Sequence, residues 1–171
     1  AAEIVGLDLS AEMLAKARKN LGFYREQTKL ENVEVRLGEI EHLPVADSTV
    51  DVIISNCVIN LSPDKAAVFA DAYRVLCPGG RLAISDVVAS AELPDEIRND
   101  LTLYSGCMAG ASLISELRTM LLDAGFENVV IVPKDESKSF IERWAPGRSI
   151  TDYVVSATIE AVRPPARTGC C

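Results

Sequence analysis

Short apolar runs that each leave into a polar or acidic residue, separated by stretches of helical period, restrict the fold of this chain more than any other feature. Residues 3–8 (EIVGLD), 33–37 (VEVRL), 50–56 (VDVIISN) and 81–88 (RLAISDVV) have the length and content of strands. The first and third read as strands buried on both faces. A helix is expected after the first, with Ser10 as N-cap, Met13, Leu14, Ala17 and Leu21 at helical spacing, basic Lys16, Arg18 and Lys19 towards its end, and Gly22 after it. Ser62 and Pro63 predict the N-cap and first turn of a second helix, with Phe69, Ala72, Tyr73 and Leu76 as its core stripe and Pro78-Gly79-Gly80 as its end. A third begins near Pro94 and carries Ile97, Leu101, Tyr104 and Met108 on one face, and a fourth ends at Gly125. Two last strands, near 128–133 and 152–161, flank a loop holding Trp144, Pro146 and Gly147. This alternation argues for an α/β domain with a largely parallel sheet closed by an antiparallel pair. Residues 1–162 are expected to form one domain, and 163–171 (RPPARTGCC) a disordered tail carrying Cys170 and Cys171.

Composition narrows the partners. With 171 residues, 49% hydrophobic and 25% charged, the chain can bury a sizeable core. Seventeen basic against twenty-five acidic residues give a net charge of −8, and the basic ones are scattered, which argues against nucleic acid and anionic membranes. No run reaches the roughly 18 apolar residues of a membrane span, and AAEIVGLDLS lacks a basic signal-peptide start, so a soluble, cytoplasmic protein is expected. The five cysteines show no CxxC spacing, so free thiols are expected rather than a disulfide framework or a zinc site.

In open α/β sheets ligands bind beyond the carboxyl ends of the strands. Asp8 leaves the first strand, where a carboxylate either accepts the two hydroxyls of a ribose or caps the following helix. In GEIEHLP (38–44), Ile40 suits a flat purine face and Glu41 an amino group, although a polar loop with one buried apolar residue explains the same pattern. Asn56 and Cys57 leave the strand ending VIISN, and Cys107 lies in YSGCMAGA, where Gly106, Ala109, Gly110 and Ala111 leave room for a close approach. Most cysteines placed like Cys57 are small core residues, and tight helix packing explains the small residues around Cys107 equally well. Cys77 precedes the Pro-Gly-Gly turn, at the other end of the sheet, and carries no site role. His42, the single histidine, has no orienting partner in its motif and is expected to be exposed.

Together these exits resemble the class I methyltransferase pattern: an acid after the second strand, an adenine-facing segment after the third, and a Pro-Gly-Gly turn before the fifth. The segments GEIEHLPVADSTVDVIISNCVINLSPDK and YSGCMAGA resemble those of the arsenite methyltransferases. The resemblance covers residues 3–162. It implies a Rossmann-like sheet ordered 3-2-1-4-5-7-6 that here lacks its first strand and glycine-rich loop, so that the chain is incomplete at its N-terminus. It also implies that Asp8 holds the ribose of S-adenosyl-L-methionine, that Leu9, Ile40 and Glu41 frame the adenine, with Asn56 beside them, and that Cys57 and Cys107 ligate trivalent arsenic. An upstream cysteine of the family is absent, and Cys77 stands where the family commonly has lysine.

The activity implied is methyl transfer from S-adenosyl-L-methionine to thiol-bound trivalent arsenic, with arsenite or its thiol conjugates as substrate and a thiol reductant as partner. Arsenic(III) is soft and selects thiolates. Its lone pair would take the sulfonium methyl, and a sulfonium leaving group needs no general acid. A small organic acceptor with both cysteines in the core, or a non-catalytic arsenic-binding module, are the alternatives. The 171 residues alone are expected to be inactive, because a missing central strand of about five apolar residues removes around 10 kcal/mol.

Overall fold

The computed structural model describes residues 2–105, 107–144 and 149–166. Strand β1 (Ile4–Asp8) pairs in parallel with β2 (Val33–Leu37), from Ile4 opposite Val33 to Asp8 opposite Leu37, and helix α1 (Ala11–Thr28) makes the crossover. Strands β3 (Val50–Asn56), β4 (Leu76–Ala89), β5 (Glu127–Lys134) and β6 (Val154–Val162) form a second sheet in the order β3-β4-β6-β5. β3 and β4 are parallel and joined through α2 (Lys65–Val75), whereas β6 runs antiparallel to both neighbours. The neighbours within each sheet are those of the expected order, with β1 and β3 each ending a sheet.

Those two ends correct one expectation. β1 and β3 are not buried on both faces: Ile4, Val5 and Val52 are exposed, and Ile54 is 81% exposed. A strand at the end of its sheet lacks the flanking cover that a central parallel strand receives. The well-covered strand is β4. Its alternating side chains feed one core through Leu82, Ile84 and Val88, with Phe69, Leu117, Leu121 and Phe126, and another through Val87 and Ala89, with Leu103, Met108, Ile141 and Ile150. Each fully buried Phe or Leu here contributes roughly 1.5–3 kcal/mol.

Local chemistry explains where helices start and stop. The Ser10 hydroxyl accepts from the Met13 N–H at 3.2 Å, as expected, but α1 runs past Gly22 to Thr28. A helix-interior glycine costs only about 1 kcal/mol, and the Tyr24 hydroxyl donates to Asn32 at 2.9 Å, tying the last turns down. The helix ends instead at Lys29, in the left-handed conformation with φ 60°. α2 is capped by Asp64, which accepts from Ala67 N at 2.9 Å, rather than by Ser62, whose hydroxyl instead accepts from Asp64 N at 3.1 Å and donates to Glu41. Pro78-Gly79-Gly80 lies within β4, where a side chain on Gly80 would meet the carbonyls of Cys77 at 2.9 Å and Asp51 at 3.0 Å.

The helix expected from Pro94 is broken into α3 (Asp95–Arg98) and α4 (Leu101–Ser105). The Asp100 carboxylate accepts from Thr102 N at 2.8 Å and Leu103 N at 3.1 Å, restarting the helix in a new phase. Leu103 is therefore buried and Leu101 is 83% exposed, against the expected face. The Tyr104 side chain and Gly106 lie outside the described residues. Helix α5 (Ile114–Asp123) ends just before Gly125, as expected. The segment between the last two strands is not a plain loop but holds α6 (Lys138–Trp144), which buries its own Ile141. Pro146 and Gly147 lie outside the described residues. So do Cys170 and Cys171. Arg163, grouped with the tail by its sequence, is pinned: its N–H donates to Gly80 O at 2.8 Å, and its guanidinium donates to Tyr73 O at 2.9 Å and lies 4.7 Å from the Tyr73 ring centre.

Candidate functional site

The carboxyl end of β3 and the turn after α4 meet beyond the sheet. Asn56 closes β3 opposite Ser85, and its side chain is exposed. Cys57 follows with φ 53°, its N–H donating to Ser85 O at 2.9 Å. Cys107 has φ 63° and is 7% exposed. Its thiol donates to the Cys57 carbonyl at 2.9 Å, so the two cysteines expected to act together are brought together. Positive φ is unfavourable for residues with a side chain and persists where the surroundings fix it.

Those surroundings centre on Asp86, near the carboxyl end of β4. Its buried carboxylate accepts from Ile59 N at 3.1 Å, Asn60 Nδ2 at 3.0 Å and Val87 N at 2.8 Å. Asn60 Nδ2 also donates to Val87 O at 2.6 Å and Cys107 O at 3.1 Å. The Lys65 ammonium donates to Gly110 O at 2.8 Å. Sequence reasoning missed Asn60, Lys65 and Asp86. One signal was available: a lone acid inside the apolar strand RLAISDVV must find partners when buried.

Burial pushes the Cys107 thiol up to about 11, with the Asp86 and Cys57 charges adding to it, and raises Cys57 through burial and then Asp86. Both are protonated at neutral pH. Burial raises Asp86 too, outweighing its three N–H donors. A raised thiol is protonated longer in the folded chain than in the unfolded one, so its contribution to stability is full below about 9 and is lost as pH rises towards 11. Because the thiolate is the nucleophile, alkylation of Cys107 by iodoacetamide should climb about tenfold per pH unit between pH 7 and 10, followed by peptide mass spectrometry. A plateau by pH 8 would contradict the raised thiol.

The expected cofactor residues other than Asn56 lie at the carboxyl ends of β1 and β2. One oxygen of Asp8 accepts from Ser10 N at 2.8 Å, orienting the residue that caps α1, and Leu9 is exposed beside it. Leu9, Leu37, Gly38, Glu39 and His42 line a hollow there, and His42 is exposed as expected. Ile40 packs instead against the core, and Glu41 accepts from the Ser62 hydroxyl. The loop is clasped to α2 by Arg74, which donates to Leu43 O and Val45 O at 2.9 Å and forms a two-pronged pair with Asp71. Burial opposes ionisation of Asp71, but Arg74 and the Leu43 N–H hold its carboxyl below the usual range. Cys77 sits at the other end of β4, donating to Ser48 O at 3.1 Å. Among the described residues no group of three or more His, Cys, Asp or Glu forms a metal cluster, and no helix is long and apolar enough to cross a membrane.

A parallel β-α-β sheet closed by an antiparallel strand set between β4 and β5, with its site residues at the strand exits, is the arrangement of class I methyltransferases. The chain matches the methyltransferase domain model over residues 1–125 and belongs to that family. It is 56% identical over 164 residues to the arsenite methyltransferase of Halobacterium salinarum, covering 96% of this chain and 41% of that protein. It is 40% identical over 128 residues to the arsenite methyltransferase of Homo sapiens, covering 72% and 34%. An arsenic(III) S-adenosylmethionine methyltransferase structure from Chlamydomonas reinhardtii superposes with a TM-score of 0.73 at 28% identity, over 98% of this chain and 57% of that one. The chain thus spans 34–41% of the two curated relatives and 57% of the solved structure.

Proposed function

We propose that this chain is the catalytic portion of an arsenite methyltransferase that uses S-adenosyl-L-methionine. The observation that carries the reading is the Cys107 thiol held against Cys57 O at the carboxyl end of the sheet, in a chain 56% identical to one such enzyme. Cys57 and Cys107 each replace one hydroxyl of arsenous acid, forming an As–S bond and releasing one water that carries off the thiol proton. Capture therefore needs no base, and raised thiols do not oppose it at neutral pH. Two sulfurs leave the arsenic lone pair free and fix its direction, and orientation of this kind is worth roughly 7–11 kcal/mol.

Asp8 and the hollow beside Leu9 fit a nucleoside. The Asp8 carboxylate has one oxygen on the Ser10 N–H and the other to accept a ribose hydroxyl, while exposed Leu9 offers an apolar surface for a purine. When bound, S-adenosyl-L-methionine supplies an electrophilic methyl group. A thiol reductant keeps the two cysteines reduced, as in the cytoplasm. Incubating the intact protein with arsenite, cofactor and a monothiol should yield methylated arsenic and S-adenosylhomocysteine in step, and absence of both would sink the reading. Asp8→Ala should weaken the cofactor roughly 10- to 100-fold, since a charge-assisted hydrogen bond is worth about 1.5–3 kcal/mol. An unchanged calorimetric Kd would leave Asp8 only its hold on the Ser10 N–H.

A further inference from the structure

We infer that Asn60 is the positioning residue that sets the separation of the two thiols, through the single amide nitrogen that joins both cysteine-bearing segments to β4. The inference rests on Cys57 and Cys107 being the arsenic ligands. Asn60 lies three residues after Cys57, in the turn Ile59–Leu61, and is 2% exposed. Its Nδ2 lies within hydrogen-bond distance of the Asp86 carboxylate, of Val87 O on the same strand and of Cys107 O across a separation of 47 residues, its two N–H groups being shared among the three acceptors. One side chain thus measures the distance from β4 to the Cys107 turn.

Two further contacts seat that turn on the same segment. The Asn60 carbonyl lies 2.1 Å from where a Cβ on Gly110 would stand, so only glycine allows the close approach. The Lys65 ammonium donates to Gly110 O at 2.8 Å from the first turn of α2. The segment from Cys57 to Lys65 is therefore a socket for residues 107–110. The adenine-side loop is clasped separately, by Asp71 and Arg74.

Residues that orient ligands cost about 10- to 100-fold in affinity when removed. Asn60→Ser, whose hydroxyl is too short to reach Cys107 O, should weaken arsenite binding by that factor in equilibrium dialysis, with the Kd for S-adenosylmethionine within about twofold. Lys65→Met keeps the hydrogen bonds of Asp86 to Ile59, Asn60 and Val87 while removing the cation that faces its carboxylate, and should weaken arsenite several-fold, covering the case in which Asn60→Ser folds poorly. If Asn60→Ser and Lys65→Met bind arsenite normally, the inference is overturned. Cys57→Ser and Cys107→Ser run alongside: if they too bind normally, the ligand assignment itself fails, whereas loss confined to the cysteine variants removes the role of Asn60 alone.

Discussion

Replacing Cys57 or Cys107 by serine in the intact protein is expected to lower arsenite methylation by about 100-fold or more while leaving the fold and cofactor binding in place. A hydroxyl is a hard ligand where a soft centre requires sulfur, and the loss of one sulfur removes both affinity and direction. The fold should survive for a specific reason. The contacts of Cys57 are made by its backbone, whose N–H donates to Ser85 O and whose carbonyl accepts from Cys107. A serine at 107 can still donate to that carbonyl. Cys77→Ser provides the contrast, because its thiol lies at the opposite end of β4 on Ser48 O, and activity should stay within twofold of the parent. Steady-state rates with arsenite and a melting curve for each variant decide the matter. Full activity in either site variant would remove that cysteine from the chemistry.

Asp86→Ala is expected to be the most destabilising single change near the site. It leaves the buried N–H groups of Ile59 and Val87 without this acceptor, while the Asn60 amide keeps Val87 O and Cys107 O. Unsatisfied buried donors cost about 1–3 kcal/mol each. Removing a carboxylate whose burial already raises its proton affinity returns part of this, so the net loss should be roughly 3 kcal/mol in urea denaturation at pH 7. Arsenite binding should fall with it, since the Asn60 amide that links the Cys107 turn to β4 is then held by Val87 O alone. A loss below about 1 kcal/mol would mean that the cost of burying the carboxylate cancels its hydrogen bonds.

The strands were legible because burial writes itself into apolar runs, and the exits of those runs pointed to Asp8, Cys57 and Cys107 before any geometry was known. What escaped has a common physical form. Asn60 and Asp86 act through each other and through Cys107 O, across separations of 26 and 47 residues that no local pattern records. The positive φ of Cys57 and Cys107 is imposed by those contacts and not by a glycine that could advertise it. Gly22 looked like a stop because its cost is local, whereas the bond from Tyr24 to Asn32 that offsets it is not. Asp100 splits α3 from α4 with a side chain that sequence alone reads as one more polar surface residue. Small residues at 109–111 signalled a close approach, but only the structure names its partner as the Asn60 carbonyl.

The account turns on sulfur reaching arsenic from these two positions. Arsenic K-edge X-ray absorption on the intact protein loaded with one equivalent of arsenite, without added thiol, counts the sulfur neighbours directly. The parent and Cys77→Ser should give the same number, and Cys57→Ser and Cys107→Ser should each give one fewer. A sulfur count unchanged in both site variants would contradict the account.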